Sequence, residues 1–133
     1  MSTPVDIASS INYHGRRFRP VVDGTGEHTR VAHYYQDGDL LWGEFTGGHA
    51  RRGTLAGRCQ PDGSLDFAYC MVLDDGRIIS GECRSTPEIL PDGRILLHEE
   101  WQRYGAYAAS GVSQIEEIPS IDLLPAATPT ANR

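Results

Sequence analysis

The side chains able to do chemistry in this sequence fall into three groups: Trp42 with Glu44 and Arg51, Tyr69 and Met71 with Glu82 and Arg84, and Glu99 with Trp101. Each sets aromatic or apolar surface beside a carboxylate or a guanidinium. That is the composition of a small-molecule site, mostly apolar lining with a few polar groups that orient the ligand. The ligand-binding candidates are therefore Trp42, Glu44, Arg51, Tyr69, Met71, Glu82, Arg84, Glu99 and Trp101. A catalytic version would use Glu99 or Glu82 as general base, its pKa raised by burial against Trp101, with Arg84 or Tyr69 stabilising developing negative charge. The competing reading is structural: aromatic residues as core, and Glu44–Arg51 as an ion pair at a rim. It has the advantage for any single residue. For the group, several charges on one interior face are costly unless paired or used.

Other chemistries find no support. His98-Glu99-Glu100 is not H-E-x-x-H, and neighbouring strand residues face opposite ways. His14, His28, His33 and His49 lack ligand spacing, and Cys59, Cys70 and Cys83 form no C-x-x-C, so neither metal nor cofactor is expected. There is no G-x-S-x-G, and Ser80 has no base partner. A net charge of −6 suits a phosphate backbone poorly, so nucleic acid is not an expected partner. The cluster Arg16, Arg17, Arg19 reads as a solvated edge that discourages strand addition. No apolar run is long enough for a membrane-spanning helix. The start, MSTPVDIASS, lacks a basic stretch followed by an apolar one, so no secretory signal is expected. The 3 cysteines cannot all pair with one another, which argues against a disulfide scaffold and fits a reducing cytoplasm.

The elements that must position these residues are strands. Asp-Gly occurs at 23–24, 37–38, 62–63, 75–76 and 92–93, and Gly47-Gly48 is a further turn candidate. Asp-Gly supplies the positive φ that tight hairpins require. The runs between turns predict strands at 11–22, 29–36, 39–46, 49–60, 64–74, 77–86, 94–104 and 111–118, with a turn at 87–91. No window sustains a helical period. Eight short strands joined by hairpins predict an all-β, up-and-down antiparallel barrel, because closure removes the unpaired edges. At that strand count the interior is filled by side chains or holds one small ligand. A two-sheet sandwich is the competitor, but it needs longer crossovers. The domain is 11–118, between a flexible N-terminus (1–10) and a Pro/Ala/Thr-rich C-terminal tail (119–133). In that tail the Ile121, Leu123, Leu124 cluster could pack over a barrel mouth or a neighbouring subunit, though an unstructured end is the simpler reading.

Turn lengths fix register. Two-residue turns at Asp37-Gly38, Gly47-Gly48 and Asp75-Gly76, with a three-residue loop at Pro61-Asp62-Gly63, carry one set of residues to a shared face. These are Val31, His33, Tyr35, Leu40, Trp42, Glu44, Arg51, Gly53, Leu55, Phe67, Tyr69, Met71, Leu73, Ile78, Ser80, Glu82 and Arg84. This bulkier set is assigned to the interior. The other face carries Arg30, Ala32, Tyr34, Leu41 and Phe45, together with an apolar patch of Ala68, Cys70, Val72, Ile79 and Cys83 that suggests a subunit interface. On the seventh strand, turn counting places Leu96, His98, Glu100 and Gln102 inside. Hydrophobicity instead favours Ile95, Leu97, Glu99 and Trp101, and a ladder break at Thr86-Pro87 would reconcile the two.

The segments INYHGRRFRPV, the Gly-Gly turn with its Gly-rich strand, SGECRSTPEILPDGRILLHEEWQ and GVSQIEEI resemble a family of small bacterial proteins with an avidin-like (calycin-type) β-barrel. The resemblance covers 11–118 and is most specific from Gly81 to Trp101. Members have often been labelled N-acetylglutamate synthase. An acetyl-CoA site needs a Q/R-x-x-G-x-G/A loop at a helix N-terminus. The nearest stretch, Gln60-Pro61-Asp62-Gly63-Ser64-Leu65, lacks the last small residue and lies in a hairpin. The expectation is thus a cytoplasmic barrel, dimeric or higher, that binds a small, partly apolar molecule in its lumen. The alternatives are a cofactor-independent cyclase or isomerase using that cavity, or an interaction module filled solid by Trp42, Phe67, Tyr69, Met71 and Trp101. An empty lumen separates the first two from the third, and an inward carboxylate that titrates high favours the enzyme.

Overall fold

Three of the hairpins are built on one device. In the computed structural model, which describes residues 11–21 and 29–120, Gln60, Leu73 and Leu90 each donate a backbone N–H across a three-residue loop, to Ser64, Arg77 and Arg94, at 2.8–2.9 Å. The loops are Pro61-Asp62-Gly63, Asp74-Asp75-Gly76 and Pro91-Asp92-Gly93. Each closes on a glycine with φ near +90° (89, 91 and 92°), a conformation that glycine alone adopts without strain. Each aspartate caps its own turn: Asp62, Asp75 and Asp92 accept the N–H two residues on at 2.9–3.0 Å.

The strands are β1 (Arg17–Pro20), β2 (Val31–Asp37), β3 (Leu40–Gly47), β4 (Ala50–Cys59), β5 (Leu65–Leu73), β6 (Ile78–Ile89), β7 (Ile95–Arg103) and β8 (Ala109–Glu117), and the three loops join β4 to β5, β5 to β6 and β6 to β7. All neighbouring pairs are antiparallel, and β1 pairs with β8, so the sheet is a closed up-and-down barrel as expected. A short 3-10 turn, Gly105–Tyr107, links β7 to β8. The expectations for residues 1–10, the Asp23-Gly24 turn and the 121–133 segment lie outside the described residues.

Register shows where turn counting held and where it failed. The β4–β5 ladder is the expected one, with Gly53↔Met71, Leu55↔Tyr69 and Gly57↔Phe67. The β2–β3 turn is offset, pairing Asp37 with Leu40 and Tyr35 with Trp42, which leaves the faces unchanged. The face changes at Arg51. Phe45 pairs with Gly53 and Gly47 with Ala50, so β4 carries one extra residue, and the same shift appears against β5 between Ala50 and Arg52. This bulge turns the inner side of β2 and β3 to Ala32, Tyr34, Leu41 and Phe45. It sends His33, Tyr35, Leu40, Trp42 and Glu44 outward. The second reversal is at Asp75-Gly76, which is a three-residue rather than a two-residue turn. Met71 therefore faces Ile79 rather than Ser80, and Ile79, Cys83 and Ser85 are inside. Ile78, Ser80, Glu82 and Arg84 are outside.

With β6 corrected, the Pro91-Asp92-Gly93 loop alone brings Ile95, Leu97, Glu99 and Trp101 inward. No ladder break is needed: β6–β7 pairing runs unshifted through Pro87↔Leu97 to Ile89↔Ile95. Pro87 lies past Ser85, where the β5 ladder ends, and such an edge-like position accepts a residue without an N–H. The segment expected as a turn at 87–91 is thus strand through Ile89.

Residues 11–16, expected as strand, instead cross one end of the barrel and plug it. Tyr13 is fully buried, its ring 6.4 Å from those of both Phe18 and Tyr34, and its hydroxyl donates to the Gly63 carbonyl at 2.6 Å. Burial holds this phenol far above its ordinary pKa, so it stays a donor. Tyr13→Phe removes the donor and strands the Gly63 carbonyl. The variant is expected to lose about 1–3 kcal/mol in denaturant unfolding with its slope unchanged.

Candidate functional site

The opposite end of the barrel is hollow. A cavity of about 270 Å³ is walled by Phe45, Leu55, Phe67, Tyr69, Met71 and Trp101, among others, with Phe18 and Tyr34 between it and the Tyr13 plug. Glycines opposite the wall aromatics let the rings lie against the sheet. A Cβ on Gly81 would meet the Tyr69 hydroxyl at 2.7 Å, and one on Gly111 would meet the Trp101 ring at 2.6 Å. Any side chain there would push those rings into the lumen.

One carboxylate stands in this wall. Alternation along β7 brings in Glu99 between Leu97 and Trp101. Ser113 on β8 donates to its Oε1 at 3.0 Å, and the Cys83 thiol on β6 approaches Oε2 at 3.7 Å. Ser85, fully buried, lies 3.6 Å from the Cys83 sulfur and extends the chain of polar contacts. Burial raises the Glu99 pKa above its ordinary 4.5, against the contrary pull of Ser113, Cys83 and the Arg30 charge. Burial first, and then the Glu99 charge, push the Cys83 thiol up to about 12, so it is a neutral donor and not a nucleophile.

Three arginines line the cavity: Arg19 is paired with Glu116 at 3.3 Å, Arg30 stacks over the Phe45 ring at 5.5 Å, and Arg103 over the Trp101 ring at 5.3 Å. Desolvation, followed by the nearby Arg103 charge, lowers the Arg30 pKa. Burial raises that of Tyr69, which Arg103 partly offsets.

Of the residues expected to bind ligand, the lumen gathers Tyr69, Met71, Glu99 and Trp101. Trp42 is 38 % exposed on the outer face, stacked on Tyr35. Glu44 is outside as well, 3.6 Å from Arg52 rather than beside Arg51, and Arg51 itself is the exposed bulge residue. Glu82 is outside, and Arg84 forms a surface pair with Asp66 at 2.9 Å. Such exposed pairs contribute little to stability. The expected outer apolar patch keeps Ala68, Cys70 and Val72 but loses Ile79 and Cys83 to the interior.

Arg30, Arg103, Cys83 and Ser113 went unassigned to the site. Arg103 was legible, since it continues the alternation of Glu99 and Trp101. Arg30 required the Arg51 bulge to be known. Among the described residues no group of three or more His, Cys, Asp or Glu could hold a metal ion, and no helix is long and apolar enough to cross a membrane.

The chain is thus an eight-stranded closed barrel, plugged at one end and hollow at the other, with aromatic walls around a few charges. Over residues 11–118 the chain matches the family of avidin-like proteins, and it belongs to that family. Neither the curated proteins nor the solved structures include a match to it.

Because folding raises the Glu99 pKa, the folded protein holds this proton more tightly than the unfolded chain does. The resulting penalty is absent below about pH 4 and develops as pH rises through the folded value. Glu99→Gln removes the charge, so its melting temperature relative to the parent is expected to climb between about pH 4 and about pH 7. A difference independent of pH would place Glu99 in bulk solvent.

Proposed function

We propose that the barrel binds a small, partly apolar molecule in its lumen. The observation that carries this reading is the hollow of about 270 Å³, aromatic-walled and holding a half-buried carboxylate, in a fold that could have been packed solid. That volume lies near the lower end of ligand pockets, roughly 300–1,000 Å³, so the ligand is small. The outward position of Trp42 speaks against a solid interaction module. Membership of an avidin-like family fits the same role. The cysteines Cys59, Cys70 and Cys83 are free thiols, which supports a reducing, cytoplasmic setting. Homo-oligomerisation, dimeric or higher, would use the outward Ala68, Cys70, Val72 and Ile78 of β5 and β6, the last of them 63 % exposed.

Native mass spectrometry of freshly purified protein is expected to find a bound small molecule. Isothermal titration with 2-naphthamide as a neutral aromatic probe supplies the control. Leu55→Trp, which fills the cavity, is expected to abolish binding, and Trp42→Ala on the outer face to leave it unchanged. Binding that survives Leu55→Trp would place the ligand elsewhere.

Glu99 favours a second reading, cofactor-independent proton transfer as in an isomerase or cyclase. A half-buried carboxylate of raised pKa in a cavity has the properties of a general base, and Tyr69 and Arg103 stand ready for developing negative charge. In deuterium oxide, the parent would then exchange deuterium into the co-purified molecule. Glu99→Gln would bind that molecule without exchange, and no exchange by the parent would leave binding as the only role.

A further inference from the structure

We infer that the lumen's ligand is a small organic anion, a carboxylate on a flat apolar body, held by Arg30 and Arg103. This rests on the lumen-binding reading and specifies its chemistry.

The two guanidiniums are costly as they stand. The Nε of each is shut off from solvent and has no hydrogen-bond partner. A buried charged donor left unpaired is among the more expensive features a fold can carry. Elsewhere Arg16, Arg19, Arg52, Arg77, Arg84 and Arg94 each hold a carboxylate within 4.0 Å; among the described residues Arg17, Arg30, Arg51, Arg58 and Arg103 hold none, and of these Arg51 and Arg58 are exposed to water. Arg17 also has an orphaned nitrogen, its Nη2, but strand alternation with the buried Phe18 puts it on the outer side of β1, and it does not line the cavity.

Glu99 does not discharge them. It feels Arg30 electrostatically but lies beyond ion-pairing distance, and its oxygens are engaged by Ser113 and Cys83. The two cations also repel each other, as the effect of Arg103 on Arg30 shows. Beside Arg19, which Glu116 neutralises, the described lining therefore carries two unpaired positive charges against one negative group that burial makes harder to ionise. A monoanion restores the balance and supplies acceptors for the idle N–H groups.

Geometry narrows the class. A guanidinium presents a planar fork that matches a carboxylate, and stacking on Phe45 and Trp101 holds each fork in place. The remaining wall of Leu55, Phe67 and Met71 is apolar and suits the body of the ligand.

The test is a matched series of 2-naphthoate, 2-naphthamide and 2-naphthylmethylammonium, titrated calorimetrically into the full chain. Naphthoate is expected to bind at least about tenfold more tightly than naphthamide, with the cation weakest. Arg30→Gln and Arg103→Gln should each weaken naphthoate by about tenfold and leave naphthamide within about twofold, and Arg→Lys should recover part of the loss. Should a Gln variant fail to fold, the naphthoate-to-naphthamide ratio on the parent decides alone. Equal affinities for the two, both lost in Leu55→Trp, would overturn the anion inference while leaving lumen binding in place. Preference for the cation overturns it too, and failure of all three probes to bind overturns both.

Discussion

The structure depends on closure of the sheet through β1, its shortest strand. Arg17–Pro20 pairs with β2 on one side and with β8 on the other, where Phe18, Arg19 and Pro20 face Glu117, Glu116 and Ile115. Side chains reinforce so short a ladder. Arg16 reaches Glu117 at 2.7 Å, while Arg19 and Arg94 converge on Glu116 at 3.3 and 3.0 Å. The carboxylates are mostly buried (13 and 23 % exposed), so the network is better shielded than an isolated surface pair. Two members of the arginine cluster that reads in sequence as a solvated edge, Arg16 and Arg19, thus brace the ladder that closes the barrel. Without it, the edges of β2 and β8 would face solvent and no enclosed lumen would exist.

Closure gives the interior charges their significance. In an open sheet Glu99, Arg30 and Arg103 would be surface groups in water, interacting weakly. Enclosed by Phe45, Leu55, Phe67 and Trp101, they lose hydration, and each remaining interaction is strengthened. The plug and the hollow divide the labour: Tyr13, Phe18, Tyr34, Leu41, Leu65 and Leu97 supply packed core at one end. The other end gives up packing for space and buried charge, a sacrifice that proteins commonly make where they bind.

Much of this architecture was legible in the sequence because turn chemistry is local. Pro61-Asp62-Gly63 announced its three-residue loop, and the β4–β5 ladder followed residue for residue. Asp74-Asp75-Gly76 makes the same turn without the proline that marks the other two, and reading it one residue short reversed β6. The Arg51 bulge left no sequence signature, since one extra polar residue between Ala50 and Arg52 changes nothing visible in a hydrophobic pattern. Its effect was to exchange Trp42 and Glu44 for Tyr34 and Phe45 on the inner wall. On the seventh strand hydrophobicity alone identifies the inner face, because burial of Ile95 and Leu97 outweighs any single turn. The site was thus legible on β5 and β7, and illegible where register had to cross a bulge or an unmarked turn.

Everything functional rests on Glu99 being desolvated in the wall of the lumen. A carboxyl-carbon NMR titration of the ligand-free protein, with Glu99 assigned through Glu99→Gln, measures this without knowledge of the ligand. The account requires a midpoint above the ordinary 4.5 for this carboxylate. A midpoint at or below that value would mean that the carboxylate is hydrated or ion-paired, and the hollow barrel would lose its claim to be a site.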